Sequence, residues 1–231
     1  MYYRLSARSR KKKYMNKEKI VNLIILLILL AAVGSSFYFY PLLPAKVVTH
    51  WGINGEANGW SSKNFQVIFF PSLLIFMWLL FKFLPHIDPL AKGYKEFKFP
   101  YLVIQLCILS LLSVIYIISN LVNVGYNISI GWTVTTLIGL MFIFMGLYLP
   151  QIKPNWFVGI RTPWTISSPY VWAKTHKFGA KMFIIAGLLF ILTPYYPDSW
   201  TVYTFILAMA LILSTIVYSY FAHRSESRGK A

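Results

Sequence analysis

"IVNLIILLILLAAVGSSFYFY", residues 20–40, decides the fold. It carries no charged side chain, and its polar residues are short or sit near its ends. A bilayer core about 30 Å thick takes roughly 20 apolar residues of helix to cross. This stretch is therefore a membrane span. It is also longer than the apolar region of a cleaved leader, about 7–15 residues, so it reads as a retained helix. Five more runs of the same kind follow: Phe65 to Leu84, Tyr101 to Asn120, Ile130 to Leu149, Phe178 to Tyr196 and Thr201 to Phe221. With 58% hydrophobic and 12% charged residues in a chain of 231, little is left for a separate soluble domain. Backbone groups in lipid must be satisfied within the segment, so the runs are helices.

The net charge of +16 is a matter of position. Eight basic residues precede the first run, between Arg4 and Lys19. Lys82, Lys92, Lys95 and Lys98 fall at the second-to-third connection. Lys153, Arg161, Lys174, Lys177 and Lys181 fall at the fourth-to-fifth, and Arg224, Arg228 and Lys230 follow the sixth. Only Lys46 and Lys63 lie on the other side. Cytoplasmic loops collect Lys and Arg, so both termini are expected in the cytoplasm. The basic tail then sets topology and touches anionic headgroups, and direct nucleic-acid binding is not needed to explain it.

The spans lack what transporters and pumps carry. No carboxylate pair, HExxH or P-loop occurs, and Gln105 is the main strongly polar side chain at depth. Gly139 and Gly146 lie one heptad apart and predict a close helix contact. The single Cys107 excludes an intramolecular disulfide and a cysteine-based zinc site. No cofactor is implied, and an enzyme is not expected.

Two connections look built. Residues 41–64, expected outside, contain "VVTHWGINGEANGWSSK". The β-branched start suits a strand, and Asn54-Gly55 and Asn58-Gly59 are turn signals. A small ordered cap is predicted, with His50, Trp51, Gly55, Glu56, Gly59, Trp60 and Lys63 as candidate partner-binding residues. On the plainer reading, the tryptophans anchor the cap at the interface and Glu56 pairs with Lys63. His50 and Glu56 alone are too few for a metal site.

Residues 153–165, expected inside, read "KPNWFVGIRTPWT". Ser168 before Pro169 is a capped helix start. A helix from there places Trp172 and His176 on one face, four apart, with Tyr170, Lys174 and Lys177 on a polar side. Three readings stay open for this segment: a structural plug in which Arg161 and Asn155 satisfy backbone groups, a surface for a protein or a lipid headgroup, or a catalytic site using His176 and Arg161. The last lacks a nucleophile or carboxylate partner nearby.

These loops carry a resemblance. Asn155, Gly159, Ile160, Arg161, Thr162, Pro163, Trp164 and Thr165, followed by Trp172, Thr175 and His176, resemble the signature of the SdpI family of bacterial membrane immunity proteins. His50, Trp51, Gly55, Glu56, Gly59 and Lys63 resemble the domain of unknown function that often precedes it. The chain departs from the usual pattern at Asn58 and at Pro169-Tyr170. The resemblance implies resistance to a secreted peptide toxin. It also implies signalling, by holding a small cytoplasmic transcriptional repressor at the membrane. A membrane enzyme, a lipid-headgroup binder and a small-solute transporter are the alternatives.

The expected architecture is thus an all-α integral membrane protein with six transmembrane helices and both termini cytoplasmic. A small extracytoplasmic cap lies between helices 1 and 2, and an interfacial helix precedes helix 5. The organisation reads as a basic tail (1–19), two spans with the outer loop 41–64 (20–84), a cytoplasmic loop (85–100), an SdpI-like four-helix region with its signature loop 150–178 (101–222), and a cytoplasmic tail (223–231).

Overall fold

The computed structural model describes residues 2–52 and 55–229, with side chains from residue 16 onward except those of Lys92 and Asp198. Asn54 of the first Asn-Gly pair and Lys230 lie outside the described residues, as do the side chains of the basic residues up to Lys13. Among the described residues there are seven α-helices and one β-hairpin, joined by loops and short 3-10 turns: α1 (Tyr2–Phe39), β1 (Lys46–Trp51), β2 (Ala57–Ser62), α2 (Lys63–Ile87), α3 (Lys98–Asn123), α4 (Ile130–Tyr148), α5 (Pro163–Ser167), α6 (Pro169–Leu192) and α7 (Thr201–Arg228). Six helices are long and apolar enough to cross a membrane, as the runs predict. The protein is a multi-pass membrane protein. Because the spans alternate in direction, both termini, the α2–α3 connection and the 149–168 segment share one end. The hairpin and the other two connections share the opposite end.

The bundle has two halves. In the first, α1 and α2 pack on α3, the most enclosed span. Ile25, Leu29 and Ala32 of α1 meet Leu74 of α2 and Leu102, Leu109 and Tyr116 of α3. The Tyr116 hydroxyl reaches Ser36 at 2.7 Å, which satisfies both in an apolar setting. In the second half, α6 packs between α4 and α7. The α4–α6 contact is set by glycine. A Cβ on Gly139 would stand 2.5 Å from the Gly187 carbonyl oxygen, and one on Gly146 would stand 2.8 Å from that of Ala180. The heptad pair read from sequence is thus a seam where two backbones nearly touch.

The cap is an antiparallel hairpin, with Val47 opposite Ser61 and Val48 opposite Trp60. Gly55 turns it with φ +79°, a conformation glycine adopts freely. Asn58-Gly59 does not turn the chain: it lies within β2, opposite His50. Gly59 is needed there because a Cβ would come within 2.8 Å of the His50 Cβ, while the Asn58 amide oxygen bonds His50 Nδ1. The expected Glu56–Lys63 pair does not form. The two residues sit at opposite ends of β2, about 20 Å apart along an extended strand. Lys63 instead donates to the Tyr40 carbonyl and covers the Tyr40 ring at 4.6 Å. Asn123, at the end of α3, accepts from the Val48 N–H at 2.7 Å and donates to its carbonyl at 2.9 Å.

The helix from Pro169 has the predicted Ser168 cap, whose hydroxyl accepts from the Val171 N–H. It does not stop at the interface but runs unbroken into the fifth span. The separate element before that span is α5, a single turn.

Candidate functional site

Two features stand out at opposite ends of the bundle. The first is the 149–168 segment, which is held by its own side chains. Asn155 is 1% exposed and acts as a staple: its Oδ1 accepts from the N–H groups of Phe157 and Val158, and its Nδ2 donates to the carbonyls of Lys153 and Val158. Arg161 donates to the Trp156 carbonyl, closing the same turn. Gly159 has φ +117°, and a Cβ on it would collide with His176 Nε2. Thr162 and Thr165 form a reciprocal capping box at the start of α5. Thr162 also bonds Ser219 of α7 at 3.0 Å. Pro163 occupies the first turn, where its missing N–H costs nothing. The Trp164 ring packs edge-on against Tyr220.

Trp172 and His176 share a face, as their spacing predicts, and their rings stack at 4.1 Å. Trp172 Nε1 donates to the Ile152 carbonyl at 2.8 Å. His176 is wholly buried with both nitrogens engaged. Nδ1 faces the Trp172 carbonyl at 2.9 Å, which can only accept, so Nδ1 carries the hydrogen. Nε2 accepts from the Ile160 N–H at 3.1 Å. Neither lone pair nor proton is left for a substrate. Tyr170, Lys174 and Lys177 are exposed on the predicted polar side, with Lys174 over the Tyr170 ring.

Asp88 was not singled out by its sequence context, yet it ties this segment to the rest of the protein. It is buried, and its carboxylate accepts from the Leu90 N–H at 2.7 Å, the Tyr94 hydroxyl at 2.9 Å and the Trp156 N–H at 2.9 Å. Burial and then the Asp88 carboxylate hold the Tyr94 phenol well above its ordinary range, so it remains a donor. One signal could have found Asp88. The chain has only six acids, and this one precedes Pro89 in a basic connection. Among the others, Glu18 meets Lys98 at 2.5 Å, Glu96 meets Lys153 at 4.0 Å, and Glu226 accepts from Ser168 at 2.7 Å.

The second feature is a cleft of about 590 Å³ between the halves at the hairpin end. Thr49, His50, Trp51 and Gly52 of the hairpin line it, with Leu111 and Ile115 of α3, Val134 and Met141 of α4, and Phe205 and Met209 of α7. Its walls are apolar apart from a few hydroxyls and the His50 ring. Of the predicted outer residues, the structure brings His50 and Trp51 to this cleft. Gly55, Glu56, Gly59, Trp60 and Lys63 do not line it; Trp60 lies under Lys46 on the hairpin.

Residues 151–219 match the SdpI/YfhL protein family, and residues 27–75 match the domain of unknown function DUF1648. The chain is 23% identical to the Immunity protein SdpI of Bacillus subtilis (strain 168), over 92% of this chain and the whole of that protein. No solved structure matches.

Proposed function

We infer, from a chain built around an SdpI region and a DUF1648 region, that this is a membrane immunity protein: it protects the cell that makes it against a secreted, membrane-active peptide toxin. The observation that carries this reading is the apolar cleft beside His50 and Trp51. The charge distribution supports an outer-face position for the hairpin, where such a peptide arrives. An amphipathic peptide offers apolar side chains that fit between α3, α4 and α7, and His50 and Trp51 supply polar and aromatic contacts at the mouth. Protection here is binding. The buried, doubly bonded His176 and the loop-closing Arg161 support a scaffold role for the signature loop over catalysis.

The test is survival of a toxin-sensitive bacterial strain challenged with secreted peptide toxins, with and without this protein. Gly131→Phe is the informative variant. Gly131 lines the cleft, and a Cβ there meets nothing within 4 Å, so the position accepts a side chain at the cleft wall; an unfolding curve of the variant checks that the fold is kept. The expected result is protection by the parent and its loss in Gly131→Phe. Equal killing with and without the parent protein overturns the reading.

A signalling role has its own supporting observation. At the termini-bearing end, Trp156 is 47% exposed and Tyr170 43%, beside Arg161, Lys174 and Lys177. Exposed aromatics among cations form a surface suited to a small acidic protein face, such as that of a cytoplasmic repressor. Co-purification of a repressor that is lost on Trp156→Glu tests it.

A further inference from the structure

Gln105 sits in α3, two turns in from the termini-bearing end. It is 1% exposed, and among the described residues neither its amide nitrogen nor its amide oxygen has a partner. Gln66 Oε1 and Asn120 Nδ2 are also unpaired, but Gln105 is the described residue with both amide atoms unmatched, and such an amide inside a membrane bundle is costly. Gln105 lines a cleft of about 200 Å³ between α2 and α3. Lys82, Lys95 and Lys98 line the same cleft, and no acidic residue does. Lys98 shares its charge with Glu18, and Lys82 bonds only the neutral Asn22 amide. Lys95 is exposed and has no ion pair among the described residues. The first turn of α3 has no side-chain cap and no acid, and its first residue, Lys98, lines the cleft, so the positive end of the helix dipole favours an anion there.

We propose that this cleft binds a phosphate-bearing anion, either the headgroup of an anionic lipid or free phosphate of the same chemistry. A phosphate oxygen accepts from Gln105 Nε2 and from the lysines, and a hydroxyl of the same ligand donates to Gln105 Oε1. Phosphatidylglycerol carries both groups, as does inorganic phosphate in its protonated form. The apolar wall of Phe81, Pro85 and Leu102 suits the start of a lipid's acyl chains. Lys82 lies over the Trp78 ring and Lys17 over the Phe99 ring, an arrangement typical of the headgroup level. Asp88 does not oppose the anion directly, because its carboxylate is turned to three donors behind Tyr94. The assignment stands apart from the immunity reading, which concerns the other end of the bundle.

The experiment uses the full chain. In one arm, nanodiscs of phosphatidylcholine with and without phosphatidylglycerol are compared, and lipid retained on the released protein is read by native mass spectrometry. In the other, inorganic phosphate is titrated into the protein in a neutral detergent and the thermal midpoint is followed. The variants are Lys95→Gln and Gln105→Leu. Removing one charge-assisted contact should lower retention about tenfold. Gln105→Leu removes an unpaired amide, so without ligand it should be at least as stable as the parent, which separates lost binding from lost folding. Preferential retention of phosphatidylglycerol that falls in both variants supports a lipid source. Stabilisation by inorganic phosphate alone, abolished in both variants, supports a soluble one. Equal retention of the two lipids with no effect of phosphate, or binding unchanged in both variants, overturns the proposal.

Discussion

Replacing Asp88 by Ala strips the acceptor from three donors at once: the Leu90 N–H, the Tyr94 hydroxyl and the Trp156 N–H. Each buried donor left unmatched costs about 1–3 kcal/mol. Three circumstances reduce the sum. Tyr94 keeps a second, longer acceptor in Asn155 Oδ1 at 3.4 Å, and the backbone donors are only partly buried. Removing a buried carboxylate also returns its desolvation cost. The expected loss is therefore about 2–4 kcal/mol. The control is another acid of the same connection. Glu96 and Lys153 are both exposed and meet at 4.0 Å, so Glu96→Ala should change stability by no more than about 1 kcal/mol. Unfolding in mixed micelles with increasing dodecyl sulfate, followed by tryptophan fluorescence, measures both; Trp156 and Trp172 lie beside the site. Asp88→Asn should fall between, because one amide oxygen remains but the nitrogen faces a donor. Equal midpoints for Asp88→Ala and Glu96→Ala would refute the claim that this carboxylate pins the two connections together.

Other substitutions follow from the same geometry. Gly139→Ala drives a methyl against the Gly187 backbone and should cost about 1–3 kcal/mol, whereas Gly34→Ala, with nothing within 4 Å, should stabilise α1 by about 0.5–1 kcal/mol; paired unfolding curves decide. Gly159→Ala strains a backbone at φ +117° and displaces His176, so it should lower stability by at least about 1–3 kcal/mol, and proteolysis should then cut near residue 160. Arg161→Ala removes one hydrogen bond from an exposed side chain, with an expected cost of about 0.5–1.5 kcal/mol and undiminished toxin survival. Loss of survival in a well-folded Arg161→Ala protein would instead make that guanidinium a contact residue.

The six spans were legible because each is long and apolar with at most one lysine, near an end (Lys82 in the second run, Lys181 in the fifth), and a bilayer leaves no alternative to helix. Gly139 and Gly146 were legible because their seven-residue spacing fixes a face whatever lies opposite. Ser168-Pro169 marked a helix start for local reasons, and that start was found. Asn58-Gly59 misled because local turn preference gave way to strand pairing, where Gly59 is small for His50 and not bent for a turn. The bonds of Asp88 and Ser219 were invisible for another reason. Trp156 and Thr162, which these residues bond, are 68 and 57 residues away; the rarity of acids could flag Asp88 itself, but nothing local marks which distant group it meets. The cleft was out of reach too, since its walls come from five separate stretches, most of them ordinary apolar sequence.

The grip of Asn123 on Val48 has a mechanical consequence. Because both backbone groups of Val48 are held by the tip of α3, the hairpin belongs to that helix and not to the α4–α6–α7 half facing it across the cleft. One lip of the cleft is therefore the end of a rod. That rod is an unbroken helix of 26 residues, about 39 Å from end to end. Its far end carries Tyr101, packed on Tyr94, the hydroxyl that meets Asp88 and through it Trp156. The hairpin and the segment tied down by Asp88 thus contact opposite ends of one continuous helix.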